Sequence, residues 1–166
     1  MSLTTTTTTS LTVQVNLTDA NLREADLRNA NLSEAKLNRA NLREADLNSA
    51  NLITANLHGA DLSNANLYAA NLTYADLTDA DIVSADLHKA NLSYSDFSHA
   101  YLNSAILTDA NLRDAILVGA NLRDANLSYA DFKDADLMES TNINLAGVNA
   151  KQITPPAGYK LVKDKD

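Results

Sequence analysis

Leucine, or a close apolar substitute, stands at every fifth position from Leu17, Leu22 and Leu27 through to Leu127, Phe132 and Leu137 without a slip. A second series runs two residues ahead of it. Ala20, Ala25, Ala30 and their successors reach Ala135, broken only by Ser95 and opened by Val15. The unit is Ala-(Asp/Asn)-Leu-x-x, repeated as twenty-five pentads from Val15–Asp19 to Ala135–Glu139. On an α-helix, at about 100° per residue, successive leucines would drift by about 140° and spread around every side. On one long strand, a spacing of five would send alternate leucines to opposite faces. The spacing is satisfied by a chain whose Ala and Leu point the same way across a short extended bridge and whose other residues turn a corner. Each pentad is then one side of a coil. A coil cannot bury its own apolar side chains alone, so coils must stack into a solenoid around one continuous core.

The positions have separate tasks. Leu fills the axis, and Ala must be small because the backbone at the corner passes close to the packed leucines. The Asn or Asp between them, as at Asn31, Asp46 and Asn71, is the short polar type that bonds nearby backbone in turns. These carboxylates therefore read as structural rather than catalytic. The last two positions face solvent and vary most, as in Arg23-Glu24, His58-Gly59 and Tyr68-Ala69, so function carried on the shaft sits there.

Pentads such as Ala20-Asn21-Leu22-Arg23-Glu24 and Ala25-Asp26-Leu27-Arg28-Asn29, with their successors across residues 15–150, closely resemble the pentapeptide-repeat proteins. The resemblance implies an all-β fold: a right-handed, four-sided parallel β-helix with four pentads per coil, about six to seven coils in a single domain. At about 4.8 Å per coil the shaft would be roughly 30 Å long.

The ends depart from the pattern. Residues 1–10, with six consecutive threonines, read as a disordered leader with neither the basic nor the apolar region of a signal peptide. Leu11, Val13 and Val15 alternate, as expected of an extended segment covering the open end of the first coil. The array extends over 11–150, regular over 15–139, with one residue inserted near Ser140 before Ile143 and Val148 resume the pattern in the degenerate pentads Thr141–Leu145 and Ala146–Ala150. Pro155-Pro156 stops further stacking, because proline lacks the ladder donor. Residues 151–166 form a terminal cap or a partner-binding tail. With no cysteine and no apolar run near 18 residues, disulfide scaffolding and membrane spanning are not expected, and the cytoplasm is the expected location.

No constellation for catalysis stands out. His58, His88 and His99 fall on different coils, without metal-ligand spacing, and the four glycines are too scattered to cradle a phosphate. No catalytic, cofactor or metal residue is expected. The candidate interaction residues are aromatic or apolar. Tyr74 and Tyr94 share a slot one coil apart, with Tyr68 and His88 around the adjacent corner. Tyr101, Ile106 and Ile116 replace the polar second residue of the unit, and Val118 and Met138 stack on the side that carries Ile116. The C-terminal third would thus offer an apolar surface to a second subunit, making a dimer of a monomer, or to the folded-back tail.

Charge is uneven. Residues 15–44 hold five acids and five bases, whereas residues 45–110 hold eight acids against Lys89 alone; the whole chain carries −8. Such a surface disfavours direct nucleic-acid binding and favours a basic partner. The expected function is a non-enzymatic structural or protein–protein interaction module with an unidentified protein partner. The alternative comes from the resemblance, since some pentapeptide-repeat proteins are duplex-DNA mimics that bind type II topoisomerases such as gyrase.

Overall fold

A computed structural model describes residues 14–140. The chain forms a right-handed, four-sided parallel β-helix. Every second residue of a pentad makes a parallel bridge with the residue twenty positions on, from Asn16↔Lys36 to Ile116↔Asp136. Four pentads therefore close one coil, and bridged residues define four faces. The first face runs through Asn16, Asn56, Asp96 and Asp136, the second through Asn21, Asp61, Tyr101 and Asn121. The third runs through Asp26, Asn66, Ile106 and Asn126, the fourth through Asn31, Asn71, Asn111 and Asp131.

One pentad shows why this sequence closes a corner every five residues. Of Ala85–Lys89, the Asp86 amide donates to the Ala65 carbonyl below (2.9 Å), and the Leu87 and Lys89 amides donate to the carbonyls of Ile106 and Thr108 above (2.7 and 3.0 Å). The Ala85 amide closes the preceding turn on Ile82 (3.2 Å), and the Ala90 amide closes the next on Leu87 (3.0 Å). The one amide left, that of His88, donates to Asp86 Oδ1 at 2.9 Å. All five donors are thereby satisfied, as a repeating backbone requires.

That side-chain bond recurs throughout. All twenty-one Asn and Asp residues at the second position accept from the amide two residues on, at 2.9–3.3 Å. The fifth position of every pentad is left-handed. Twenty-three non-glycine residues there have φ between +53° and +60°, and Gly59 and Gly119 lie at +62° and +68°. A positive φ at the third residue of a turn closed by an i→i+3 bond is the type II pattern.

The core is the pair of series read in the sequence. From Leu32 onward, the Ala and Leu positions are buried through Leu137. The substitute Ser95 is wholly buried, and its hydroxyl donates to the Leu92 carbonyl, so no polar group is stranded. Leu17, Leu22 and Leu27 in the first coil are only half-buried, and Val15 is exposed. The leader, the Leu11 and Val13 part of the lid, the register shift after Ser140 and the 151–166 cap or tail all fall outside the described residues.

Substitutions at two positions separate core from turn. Leu87→Ala removes a fully buried side chain and should cost about 2–5 kcal/mol in denaturant unfolding. Asp86→Asn should be close to neutral because Asn keeps the acceptor, whereas Asp86→Ala should lose about 0.5–1.5 kcal/mol. Equal effects of Asn and Ala would show that the turn does not depend on that oxygen.

Candidate interaction surface

The fourth and fifth residues of each pentad form the corners, and there the coil repeat stacks like positions one above another. Tyr74 and Tyr94 lie stacked at the corner after the fourth face, ring centroids 4.8 Å apart and 17° from parallel. Both are exposed. At the corner before that face, Tyr68 and His88 meet at 5.4 Å, tilted by 35°, with Lys89 Nζ 5.8 Å from the Tyr68 ring centre. The two aromatic pairs thus flank the fourth face on either edge.

The apolar replacements do not gather into one patch. Tyr101, Ile106 and Ile116 sit on the second, third and first faces, around one turn of the coil. All three are exposed, and none supplies an acceptor to the amide two residues on. Val118 and Met138 share the first face with Ile116 in successive coils, tied by the Gly119 amide donating to the Met138 carbonyl (2.8 Å). Two outliers escaped the sequence reading. Lys36 is a fourth departure from Asn/Asp, visible by the same positional rule, and Tyr129, at 76%, is the most exposed large apolar side chain among the described residues. Nothing in its slot marked it beforehand, because Ala69, Lys89 and Asp109 occupy that row below it.

Charge sorts by face and by height. In the first two coils the arginines are laced to carboxylates: Arg23 to Glu24 and Glu44 (3.0 and 2.9 Å), Arg28 to Asp26 (2.7 Å), Arg39 to Asp19 (2.7 Å) and Arg43 to Glu44 (3.3 Å). All these pairs are exposed, so they set local charge more than stability. Hydrogen bonds from the Arg28 side chain and then its backbone amide hold Asp26 down to about 2, and the Arg39 side chain lowers Asp19. Of the eight acids between residues 45 and 110, only Asp46 has an arginine within 4 Å, namely Arg28 at 3.7 Å. The rest divide unequally. Asp61, Asp76, Asp79, Asp81 and Asp96 lie on the first and second faces, Asp86 and Asp109 on the third, and none on the fourth. The fourth face carries no charged residue between Glu34 and Arg113.

The histidines stay apart. His58 Nδ1 meets Thr78 Oγ1 at 2.8 Å and Asp79 at 3.8 Å, while the His99 ring lies across Gly119, where a Cβ would come within 2.5 Å of Nδ1. Among the described residues no three His, Asp or Glu side chains converge as metal ligands.

A family model for pentapeptide repeats matches the chain in eight copies, over residues 13–48, 50–88, 70–109, 80–117 and 105–141. The chain belongs to the pentapeptide-repeat family. Among solved pentapeptide-repeat structures, alr5209 from Nostoc PCC 7120 is 40% identical over 55% of this chain and 81% of its own, with a TM-score of 0.50. HetL, involved in heterocyst differentiation regulation in the cyanobacterium Nostoc sp. strain PCC 7120, is 35% identical over 77% of this chain, TM-score 0.45. This chain spans 64% of HetL's length. QnrB1, a plasmid-mediated fluoroquinolone resistance protein, is 20% identical over 81% of this chain and 80% of its own, TM-score 0.45. A comparison with curated proteins gives no match. Pentapeptide-repeat proteins are generally non-enzymatic structural or interaction modules, which directs attention to the corners and faces rather than to a cleft.

Two titrations test this electrostatic map. Asp26 has a folded pKa of about 2 against the usual 3.8, so its pairing adds stability above about pH 4 that is lost as pH falls toward 2. In Arg28→Ala, a carboxyl NMR titration should find Asp26 raised toward its usual value but still below it, because the residue-28 backbone amide still donates to Oδ1. Hydrogen bonding to Asp114, then that carboxylate's charge, raises the Tyr94 phenol above 10. Asp114→Asn should bring the tyrosinate absorbance in at lower pH; an unmoved midpoint would remove Asp114 as the cause.

Proposed function

We propose that this pentapeptide-repeat protein is a non-enzymatic interaction rod whose first and second faces meet a basic surface on a partner protein. The observation that carries this reading is the charge pattern of those faces. Between Arg43 and Arg123 they hold no lysine or arginine, while Asp61, Asp76, Asp79, Asp81 and Asp96 bear carboxylates without a lysine or arginine partner among the described residues. Asp76, Asp79 and Asp81 turn one corner within a single coil, and Asp96 and Asp61 extend the group one coil up and one coil down. A one-sign field of this kind steers a cationic partner and fixes its register more than it adds raw affinity. An axis filled by leucine supports the non-enzymatic half of the reading, because a substrate needs a concave site.

The alternative, an acidic mimic of duplex DNA bound by a type II topoisomerase, has less support. Such a mimic calls for acids in continuous rows, as phosphates run along a duplex. Here they spread over three faces and leave the middle of the fourth uncharged, and four of the five acids of the corner group are half-buried acceptors in their own turns.

The turn geometry supplies a clean test. Asn serves as acceptor as well as Asp does, so Asp61, Asp76, Asp81 and Asp96 can all become Asn, with Asp79→Asn, without touching the fold. Binding of an oligolysine probe, followed by calorimetry at low salt, should weaken by about tenfold in this variant and much less when Asp46, Asp86 and Asp109 on the third face are changed instead. Equal losses in the two variants would refute a face-specific site. Inhibition of gyrase supercoiling by the unmodified protein would put the DNA-mimic reading in its place.

A further inference from the structure

The upper part of the first face combines three features. Its second-position residue, Ile116, is apolar and 40% exposed, and Met138 one coil above is 49% exposed with half-buried Val118 beneath it. Because Ile116 offers no oxygen, the Val118 amide has no acceptor among the described residues, whereas the equivalent amides of Ser98 and Met138 bond Asp96 and Asp136. Those two aspartates bridge to Ile116 from below and above. The face thus presents an apolar strip and an amide without an acceptor among the described residues, bracketed by carboxylates.

We propose that the chain's own segment Tyr159–Lys163 docks on this strip. Its sequence, Tyr-Lys-Leu-Val-Lys, pairs two adjacent apolar residues with flanking lysines, and an extended backbone brings carbonyls for the Val118 amide. Charge favours the match, since residues 141–166 carry four lysines and two aspartates whereas residues 111–139 carry three bases and six acids. Reach allows it as well. The 20 residues from Ser140 to Lys160 can span up to about 70 Å, and Met138, Val118 and Ile116 lie within about 10 Å of one another along the axis at the usual strand spacing. A second copy of the chain is the weaker occupant because it would bring another −8 onto an acidic face. This docking does not depend on the basic partner proposed above.

The chain has no cysteine, so Asp164→Cys in the full-length protein creates a single nitroxide site and leaves every lysine in place. Methyl NMR then reads proximity. The Ile116, Val118 and Met138 signals should lose most of their intensity, while Ile53 on the fourth face and Ile106 on the third keep theirs. The loss should vanish at about 1 M salt, where screening acts within about 3 Å. Ile116→Asp should abolish it too, without lowering the melting temperature, because Asp restores the missing turn acceptor. Undiminished Ile116 and Met138 signals, or losses equally strong at Ile106, would overturn the proposal. So would broadening that reaches Ile116 only between a labelled chain and a separate unlabelled one, which would place the docking between two copies.

Discussion

The bond from the fourth residue's amide to the second residue's side-chain oxygen lets a five-residue unit repeat. Of the five amides in a pentad, three are spoken for by neighbouring coils and one by the turn. Only the fourth points where no backbone carbonyl waits, and a short acceptor two residues back satisfies it without leaving the pentad. Asn and Asp are the residues whose reach and polarity suit that local bond. The turn it stabilises forces a left-handed residue at the fifth position, at a conformational cost that twenty-three non-glycine residues bear here. Packing of leucine against alanine along the axis makes that cost tolerable, since each coil buries its apolar residues only against the next.

This bond also sorts the acids. An aspartate at the second position is half occupied with its own turn, whereas one at the fifth, such as Asp79, is not. The aspartates on the first and second faces owe their functional interest to what surrounds them, namely a stretch of both faces without lysine or arginine. The first two coils show the opposite design, with Arg23, Arg28, Arg39 and Arg43 each held by a carboxylate. The rod therefore has a self-neutralised lower end and a middle whose charge is available to something else. Rigid stacking at a fixed spacing keeps that charge in register.

Much of this was legible in the sequence. The Leu and Ala series named the core down to Ser95, and the stacking of Tyr74 on Tyr94, with Tyr68 and His88 at the adjacent corner, followed from a coil of four pentads. What was not legible came from two sources. Tyr101, Ile106 and Ile116 are near in sequence, but a five-residue step is also a quarter turn, so proximity along the chain spread them over three faces. The left-handed fifth position had no sequence mark, because its occupants include Ala69, Lys89 and Tyr129 as well as two glycines. Closure of the turn, rather than residue preference, sets that conformation. The uncharged fourth face could have been found by sorting pentads in fours.

Hydrogen exchange at single-residue resolution tests directly whether second-position oxygens hold the fourth-position amides. Four amides lack such an oxygen: those of Asn38, Asn103, Thr108 and Val118, which follow Lys36, Tyr101, Ile106 and Ile116. They should exchange faster than the fourth-position amides of neighbouring pentads, such as Ser98 and Arg113, by about tenfold, the scale of one net hydrogen bond. Equal protection at all of these positions would contradict the account, because the turns would then be held by the backbone alone.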